Sequence, residues 1–259
     1  MGNFKGSIYS SSLQMTTAIN IIIPERSNDV DPVVEGKPRV LFLLHGLSGN
    51  CDEWPRFSKI EYYAKKYNFF IVMPEVQRSF YSNTKDGVRY FDYIADELPK
   101  YIETWFDVDM SRNNVFIAGE SMGGYGAVKI ALSRPQRFAG VASLSGVLDY
   151  RNFISLVKEG VFTEMRIEEF ENLEDQGDPI SLAEGIARDP DRPRLIQLCG
   201  TEDFLYENNR NFKRALEEAN YGHTYMESAG EHAWPYWDKA VQYAFMFFLR
   251  LDPENTPIY

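Results

Sequence analysis

Residues 115–126, V-F-I-A-G-E-S-M-G-G-Y-G, place the strongest constraint on how this chain can fold. The first four residues are apolar, as is typical of a strand buried on both faces of a sheet. Helical spacing begins at Tyr125 and continues to Leu132, where Ser-Arg-Pro ends it. Because G-x-S-x-G lies between the two patterns, the stretch predicts a strand, a tight turn that carries Ser121, and a helix.

The glycines of this turn have a steric reason. Since strand and helix approach each other closely around Ser121, side chains at Gly119 and Gly123 would collide. A strained turn lifts the Ser121 hydroxyl clear of the backbone, and the helix N-terminus beside it favours developing negative charge. The turn therefore predicts that Ser121 is a nucleophile, with an idle serine in a glycine-rich turn as the alternative.

A serine nucleophile needs a base, and the chain has three histidines. His232 lies between the last predicted strand and the last predicted helix, where a loop can reach back over the carboxyl edge of the sheet. His223 precedes a strand and is interpreted as a surface residue, and His45 as a residue that shapes its own loop. We therefore predict that His232 is the base.

Asp203 is the predicted carboxylate that orients this base. It lies just beyond the end of a predicted strand, and the order Ser121, Asp203, His232 along the chain is that of α/β-hydrolases. Glu202 and Asp149 are weaker candidates for the same role, and Asp203 would otherwise cap the helix that follows it.

A tetrahedral intermediate on Ser121 needs two N–H donors for its oxyanion. The backbone N–H of Met122, directly after the serine, is predicted to be one of them. The loop H-G-L-S at residues 45–48 follows a buried strand, and the backbone N–H of Leu47 is predicted to be the other.

Strand-like runs alternate with helical patterns along the chain, which predicts an α/β fold whose central sheet is mostly parallel and flanked by helices. A single domain over residues 1–259 is expected at this length. The predicted strands are residues 4–9, 17–23, 39–44, 69–73, 115–118, 139–145, 194–199 and 224–227. The further predicted helices are residues 57–67, 88–106 with a kink or division at Pro99, 207–219 and 237–251, and residues 77–87 are predicted to form a polar loop.

Residues 146–193 interrupt this alternation and are expected to form a small cap-like insertion over the strand ends rather than a second domain. Residues 158–191 hold eleven acidic and three basic side chains, so eight of the eleven net negative charges lie there. The acidic part, residues 164–191, is expected to face solvent and repel anionic substrates. The apolar positions expected to face a substrate's acyl group are Leu148, Phe153, Ile154, Leu156, Val157, Val161 and Phe162.

Composition excludes several classes of partner. The net charge of −11 argues against nucleic acid and anionic membranes. Cys51 and Cys199 are too few for a disulfide framework, and no Cys/His pattern indicates a metal or cofactor. No apolar run is long enough to span a membrane and the N-terminus lacks a signal-peptide pattern, so a cytoplasmic location is expected. A homo-oligomer is left open.

Four segments together resemble a known family: residues 45–50, 119–127, 230–237 and the segment around Asp203. They are similar to the esterase D-like branch of the α/β-hydrolases, and within it to the bacterial tributyrin esterases. The resemblance implies a serine carboxylesterase that hydrolyses short-chain acyl esters, including acetylated sugars. Some relatives act on feruloyl esters and others on S-formylglutathione. The glutathione enzymes show H-G-L-T-C where this chain has H-G-L-S-G-N, so that substrate is ranked lower.

Aromatic residues cluster beside the predicted site. Trp54 follows the oxyanion loop, and Trp234, Tyr236 and Trp237 follow His232. They either pack at the sheet edge or form a wall of the substrate pocket, and Trp54 and Trp234 are the predicted substrate-binding residues. An acyltransferase or thioesterase with the same triad is an alternative activity. A catalytically inactive binding module is disfavoured because all three triad residues are present.

Overall fold

The protein, studied as a computed structural model, is described over residues 1–25, 30, 32–162, 165–174 and 177–259. In these ranges one eight-stranded sheet has the order β1-β2-β4-β3-β5-β6-β7-β8. Strands β3 to β8 are parallel to one another, whereas β2 is antiparallel to both β1 and β4. The strands are β1 (Gly2–Ser10), β2 (Met15–Ile23), β3 (Arg39–Leu44), β4 (Phe69–Pro74), β5 (Val115–Glu120), β6 (Gly140–Leu144), β7 (Arg194–Gly200) and β8 (Thr224–Ser228). The predicted mostly parallel α/β fold is confirmed.

Helices cover both faces of this sheet and create two apolar cores. In β3, Val40 and Phe42 enter one core and Leu41 and Leu43 the other, which explains why its sequence is apolar without interruption. The first core lies under α5 and α9, and the second under α2 and α10. The helices are α1 (Glu53–Phe57), α2 (Ile60–Tyr67), α3 (Tyr90–Asp92), α4 (Leu98–Trp105), α5 (Met122–Ser133), α6 (Tyr150–Lys158), α7 (Ile167–Glu171), α8 (Pro179–Ile186), α9 (Tyr206–Glu218) and α10 (Trp234–Leu249).

Three predicted helices differ from the structure in detail. The helix predicted over residues 57–67 is divided into α1 and α2, because Ser58 adopts an extended conformation. The stretch predicted over 88–106 is helical from α3 to α4, joined by a π turn at Tyr93–Glu97. Pro99 does not divide it, since it lies in the first turn of α4, where a missing N–H costs least. Helix α10 begins at Trp234 rather than at 237.

The loop predicted as polar at residues 77–87 has exposed ends and a buried middle, residues 79–83. Phe80 and Tyr81 are fully buried although both have left-handed backbone conformations, with φ of 50° and 49°. The Phe80 ring contacts Phe153 of α6 and Phe170 of α7, at centroid distances of 5.9 and 4.8 Å. Phe80 is therefore buried under the segment that follows β6, a contact that the polar sequence of the loop does not reveal.

The segment predicted as a cap contains α6, α7 and α8. Helix α8 packs against α5 and α9, so the end of the segment belongs to the helical layer beside the sheet. Leu148, Phe153 and Val157 are buried in the first core, whereas Val161 is 57% exposed. Residues 163, 164, 175 and 176 of the predicted acidic part lie outside the described residues.

Candidate active site

The three side chains predicted to act as nucleophile, base and acid lie in one hydrogen-bonded chain. The distance from His232 Nε2 to Ser121 Oγ is 2.9 Å. The other ring nitrogen, Nδ1, lies 3.0 and 2.9 Å from the two carboxylate oxygens of Asp203. A neutral His232 that donates from Nδ1 to Asp203 presents a bare Nε2 to the serine hydroxyl, which is the arrangement a general base requires.

Ser121 occupies a strained turn between β5 and α5. Its φ is +52° and its ψ is −118°, a conformation that a side-chain-bearing residue rarely adopts. A Cβ on Gly119 would lie 2.5 Å from the carbonyl carbon of Gly123, and a Cβ on Gly123 would lie 2.5 Å from the carbonyl oxygen of Leu44. Both glycines are required by close backbone approach, and the second contact brings the end of β3 against the first turn of α5.

The loops after β7 and β8 meet in a similar way. A Cβ on Gly200 would lie 2.1 Å from the carbonyl oxygen of Gly230, so β7 ends directly against the loop that carries His232. The Asp203 side chain is completely buried and also accepts a bond of 2.8 Å from the backbone N–H of Leu205. These contacts hold the carboxylate in place before any substrate binds.

The two weaker carboxylate candidates make other contacts. Glu202 accepts a hydrogen bond of 2.5 Å from the backbone N–H of Gly230. Asp149 caps the N-terminus of α6 by accepting from the backbone N–H of Asn152, and it binds the Asn211 side chain. Asp203 is the one of the three carboxylates that bonds to His232 in the described part of the chain.

The His232 ring is held between aromatic side chains. Trp237 meets it edge to face at a centroid distance of 4.9 Å, and Trp237 Nε1 donates to Ser145 Oγ at 3.2 Å. Phe204 covers the ring from the outside at 4.3 Å and is itself 58% exposed. Phe162, from the cap segment, contacts Phe204 at 5.6 Å. Sequence reasoning missed Phe204, although its position next to Asp203 was a usable signal.

The loop that holds the predicted oxyanion donor Leu47 is fixed by His45. The backbone N–H of Val76 donates to His45 Nε2 at 3.2 Å, so the ring proton is on Nδ1, which donates to the carbonyl oxygen of Gly46 at 2.8 Å. Burial lowers the pKa of His45 and keeps the ring neutral. Gly49 N–H donates to the same Gly46 carbonyl, at 3.2 Å.

These bonds decide where the Leu47 N–H points. In a trans peptide the C=O and the N–H point in opposite directions, so holding the Gly46 carbonyl turns the Leu47 N–H away from His45. The Tyr81 hydroxyl also holds this loop, because it donates a hydrogen bond of 2.8 Å to the His45 carbonyl oxygen. Within the described residues, neither the Leu47 N–H nor the Met122 N–H donates to a protein acceptor, which leaves both donors available.

A buried carboxyl group lies beneath the same loop. The Glu120 side chain packs directly against Gly46, whose Cβ position would be 2.3 Å from Glu120 Oε2. Burial, and then the nearby Glu53 carboxylate, raise the pKa of Glu120 to about 8, while a hydrogen bond from the Gly46 backbone lowers it. Glu120 is therefore a neutral acid near pH 7, and any side chain at Gly46 would displace it.

The two tryptophans predicted to bind substrate have different surroundings. Trp54 is 1% exposed and its Nε1 donates to the Leu44 carbonyl oxygen at 3.1 Å, so it packs inside the second core, as the alternative interpretation held. Trp234 is half-buried and packs edge to face on Trp54 and Trp237. The His232 ring itself contacts Trp237 and Phe204, and Phe162 packs on Phe204.

Over the described residues, no group of three or more His, Cys, Asp or Glu side chains has the spacing of a metal site. No helix in the described part of the chain is long and apolar enough to cross a membrane.

Comparison with known proteins agrees with this geometry. A family model described as "Putative esterase", of the Esterase family, matches residues 10–248. An acetyl esterase of Caldicellulosiruptor saccharolyticus is 28% identical over 92% of this chain and 95% of its own. Among solved structures, FphF of Staphylococcus aureus, a fluorophosphonate-binding serine hydrolase, is 32% identical with a TM-score of 0.83, covering 96% of this chain and 98% of its own.

The S-formylglutathione hydrolase FrmB of Staphylococcus aureus is 31% identical, with a TM-score of 0.81 over 96% of this chain and 98% of its own. These likenesses extend over nearly the whole chain rather than over the turn around Ser121 alone. The chain therefore belongs to the Esterase family and is an esterase D-like α/β-hydrolase that acts as a serine carboxylesterase.

Proposed function

We propose that this enzyme hydrolyses short-chain acyl esters, acetyl to butyryl, with Ser121 as nucleophile, His232 as general base and Asp203 as orienting acid. The main support is the hydrogen-bonded chain through the three side chains, with His232 Nε2 at 2.9 Å from Ser121 Oγ. In the proposed reaction, Ser121 Oγ attacks the ester carbonyl as His232 takes its proton. The same proton then passes to the leaving alkoxide, and water repeats the sequence on the acyl-enzyme.

The proposed oxyanion donors are the backbone N–H groups of Leu47 and Met122. They are supported by the held Gly46 carbonyl, which orients the Leu47 N–H, and by the contact of the β3 end with the first turn of α5. Two fixed donors stabilise the negative charge that develops on the carbonyl oxygen, and this effect is commonly worth 10²–10³-fold in rate per donor.

The proposed acyl preference follows from the aromatic residues beside His232. Phe204 and Phe162 lie on the side of the ring that is open to solvent and offer an apolar surface for a small acyl or alcohol group. The segment that supplies Phe162 also carries most of the net negative charge of the chain. Neutral esters are therefore favoured over anionic ones, in line with the acetyl esterase relative.

A panel of esters tests this proposal. We expect kcat/KM to be highest for p-nitrophenyl acetate or butyrate and acetylated sugars, and lower for octanoate and methyl ferulate. Tributyrin is expected to be hydrolysed. A maximum at octanoate, or no turnover of acetyl and butyryl esters, would contradict it.

Hydrolysis of S-formylglutathione is the second candidate, because the FrmB relative is 31% identical over nearly its full length. Glutathione is anionic, so the acidic segment beside the site disfavours it. If kcat/KM for S-formylglutathione exceeds that for every neutral ester, the second candidate replaces the first. Product analysis with added sugar acceptors distinguishes hydrolysis from acyl transfer.

The proposal also places the enzyme in the cytoplasm. Cys51 and Cys199 are both free and buried, as is usual for proteins of reducing compartments. Fractionation of cells that produce the full-length protein checks this, and recovery of activity outside the cytoplasmic fraction would contradict it.

A further inference from the structure

A cleft lies at the amino ends of the parallel strands, on the opposite side of the sheet from Ser121. It has a volume of about 470 Å³ and is lined by residues that precede or begin parallel strands, together with the end of α10. We call it the arginine cleft, because five arginines line it: Arg39, Arg112, Arg192, Arg194 and Arg250. A concentration of positive charge is unexpected on a chain whose net charge is −11, and the proposed esterase reaction does not use it.

Three of these guanidinium groups are held by backbone carbonyls. Arg112 donates to the carbonyls of Pro135 and Asp191, and Arg192 to those of Tyr221 and Asp189. Arg194 donates to the carbonyls of Phe247 and Phe248, at 2.8 and 2.9 Å, at the end of α10. Carbonyls orient a guanidinium without removing its charge, and the C-terminal end of a helix offsets only about half a charge.

The other two guanidinium groups, of Arg39 and Arg250, have no hydrogen bond, ion pair or ring contact within the described ranges. Arg39 begins β3 and Arg250 follows α10, so they reach the cleft from opposite ends of the chain. Among the residues that the structure describes, no acidic side chain lines the cleft. The described ion pairs of the protein include none of the five arginines.

The positive charges also act on one another. Burial, and then the nearby charge of Arg250, lower the pKa of Arg194. The apolar floor of the cleft, which includes Phe116 and Phe248, reduces the screening of these charges by water. Such an arrangement is electrostatically unfavourable unless an anion enters it.

We propose that the arginine cleft binds a small, multiply charged phosphorylated molecule. Guanidinium groups present forked N–H donors that match phosphate oxygens in pairs, and several of them around one cleft favour a ligand with more than one phosphate charge. Because Arg112, Arg192 and Arg194 are already fixed, binding orders only Arg39 and Arg250, which lowers its entropic cost. The volume is in the range of small-molecule sites, and the net negative charge of the rest of the chain opposes nucleic acids and anionic membranes.

Isothermal titration calorimetry at low ionic strength tests the proposal, with pyrophosphate and inorganic phosphate as the probes. We expect saturable binding of pyrophosphate, weaker binding of phosphate, and loss of affinity as salt is added. The double variant Arg39→Gln/Arg250→Gln should bind pyrophosphate at least about tenfold more weakly, because two charge-assisted contacts are lost. Neither side chain has a partner in the described structure, so the fold and the hydrolysis of p-nitrophenyl acetate should be unchanged.

Arg188→Gln is the matched control. Arg188 is exposed, lies near the end of α8 and lines a different cleft. Its replacement also removes positive charge from the protein, but it leaves the arginine cleft unchanged. The affinity of the Arg188→Gln variant for pyrophosphate should stay within about twofold of that of the unchanged protein. No saturable binding of pyrophosphate, or an equal loss in Arg188→Gln and the double variant, would overturn the proposal. Co-sedimentation with phosphatidylglycerol vesicles that depends on Arg39 and Arg250 would also overturn it, in favour of a membrane surface.

Discussion

Strands β5 and β7 each connect two sites that are built in opposite ways. Their amino ends lie at the arginine cleft and their carboxyl ends lead to Ser121 and Asp203. The six residues of β5 and the seven of β7 each span about 20 Å. At the carboxyl end, the polar groups of the triad are satisfied by one another. At the amino end, three guanidinium groups bond only to carbonyls, with aromatic rings beside Arg192 and Arg194, and two have no partner among the described residues. The first site is complete as it stands, whereas the second lacks its counter-charge.

The difference in how their polar groups are paired determines what the carboxyl and amino ends of these strands can do. In the proposed reaction a proton passes from Ser121 to His232 and on to the leaving group, and Asp203 stabilises the positive charge on the ring without an external ion, because every group is already oriented. The amino end can do no such chemistry, since arginine does not titrate near neutral pH. It can only attract and hold an anion. Changes at one end should therefore leave the other end unaffected.

Ser121→Ala should have the largest effect, because it removes the nucleophile. We expect kcat for p-nitrophenyl acetate to fall by about 10⁴-fold or more while the fold is retained. Pyrophosphate binding at the arginine cleft should be unchanged, which makes the calorimetric titration the control. Turnover close to that of the unchanged enzyme would remove Ser121 from the mechanism, and reaction of a fluorophosphonate with Ser143 or Ser145 would relocate the nucleophile.

Asp203→Asn should have the next largest effect. The amide cannot stabilise the positive charge that His232 acquires, so kcat should fall by about 10³–10⁴-fold. Glu202→Gln is the matched control, since Glu202 bonds to the Gly230 N–H and a glutamine oxygen can keep that bond. Equal losses in the two variants would leave the orienting acid unassigned.

Phe204→Ala should have a moderate effect that depends on the substrate. Removing the ring beside His232 takes away apolar surface, and we expect kcat/KM for the butyryl ester to fall several-fold more than that for the acetyl ester. Phe4→Ala is a suitable control, because Phe4 is 56% exposed on β1 and Phe204 is 58% exposed. An unchanged ratio between the two esters would contradict the proposed role of Phe204.

Glu120→Gln should have the smallest effect, a change in how stability depends on pH. The folded-state pKa of Glu120 is raised from 4.5 to about 8. Between these values the unfolded chain releases a proton that the folded protein keeps, so this group makes stability fall as pH rises from about 4.5 to 8. Glutamine mimics the protonated acid, and the Tm of Glu120→Gln should therefore decline less over that interval.

Other titratable groups around Glu120 are common to both proteins in this comparison. Glu53 faces it from α1, Glu75 from the end of β4, and His45 and Tyr81 from the adjoining loops. The lowered pKa of His45 has the opposite sign and makes stability rise with pH, so only the difference between the two Tm profiles reports on Glu120. Glu103→Gln, at an exposed position of α4, is the control. Parallel profiles for Glu120→Gln and the unchanged protein would show that Glu120 is ionised in the folded state.

Much of the site was predictable because its rules are local. The need for glycine at position 119 is predicted correctly, since its collision with Gly123 involves residues four apart in one turn, whereas a side chain at Gly123 would meet the distant Leu44 carbonyl. The apolar runs predict the strands because a strand buried on both faces must be apolar at every position. The order of Ser121, Asp203 and His232 along the chain is likewise visible without coordinates.

Other features depend on contacts between distant parts of the chain. The bond between Asp203 and His232 depends on the approach of Gly200 to the Gly230 carbonyl, 30 residues apart in sequence, which brings the loops after β7 and β8 together. In the loop predicted as polar, the burial of Phe80 depends on α6 and α7, and that of Tyr81 on α5 and the loop after β3. Trp54 is assigned to the core rather than to the pocket for the same reason.

What the sequence by itself determined is therefore the sheet, the tight turn that carries Ser121 and the set of proposed reactive groups, because each follows from residues close together in the chain. Only the tertiary structure decided which groups meet. The arginine cleft is the clearest example, since its arginines extend from position 39 to position 250. They are neighbours only because parallel strands start at the same edge of the sheet and α10 ends there, which leaves their charges together without a carboxylate among the residues that line the cleft.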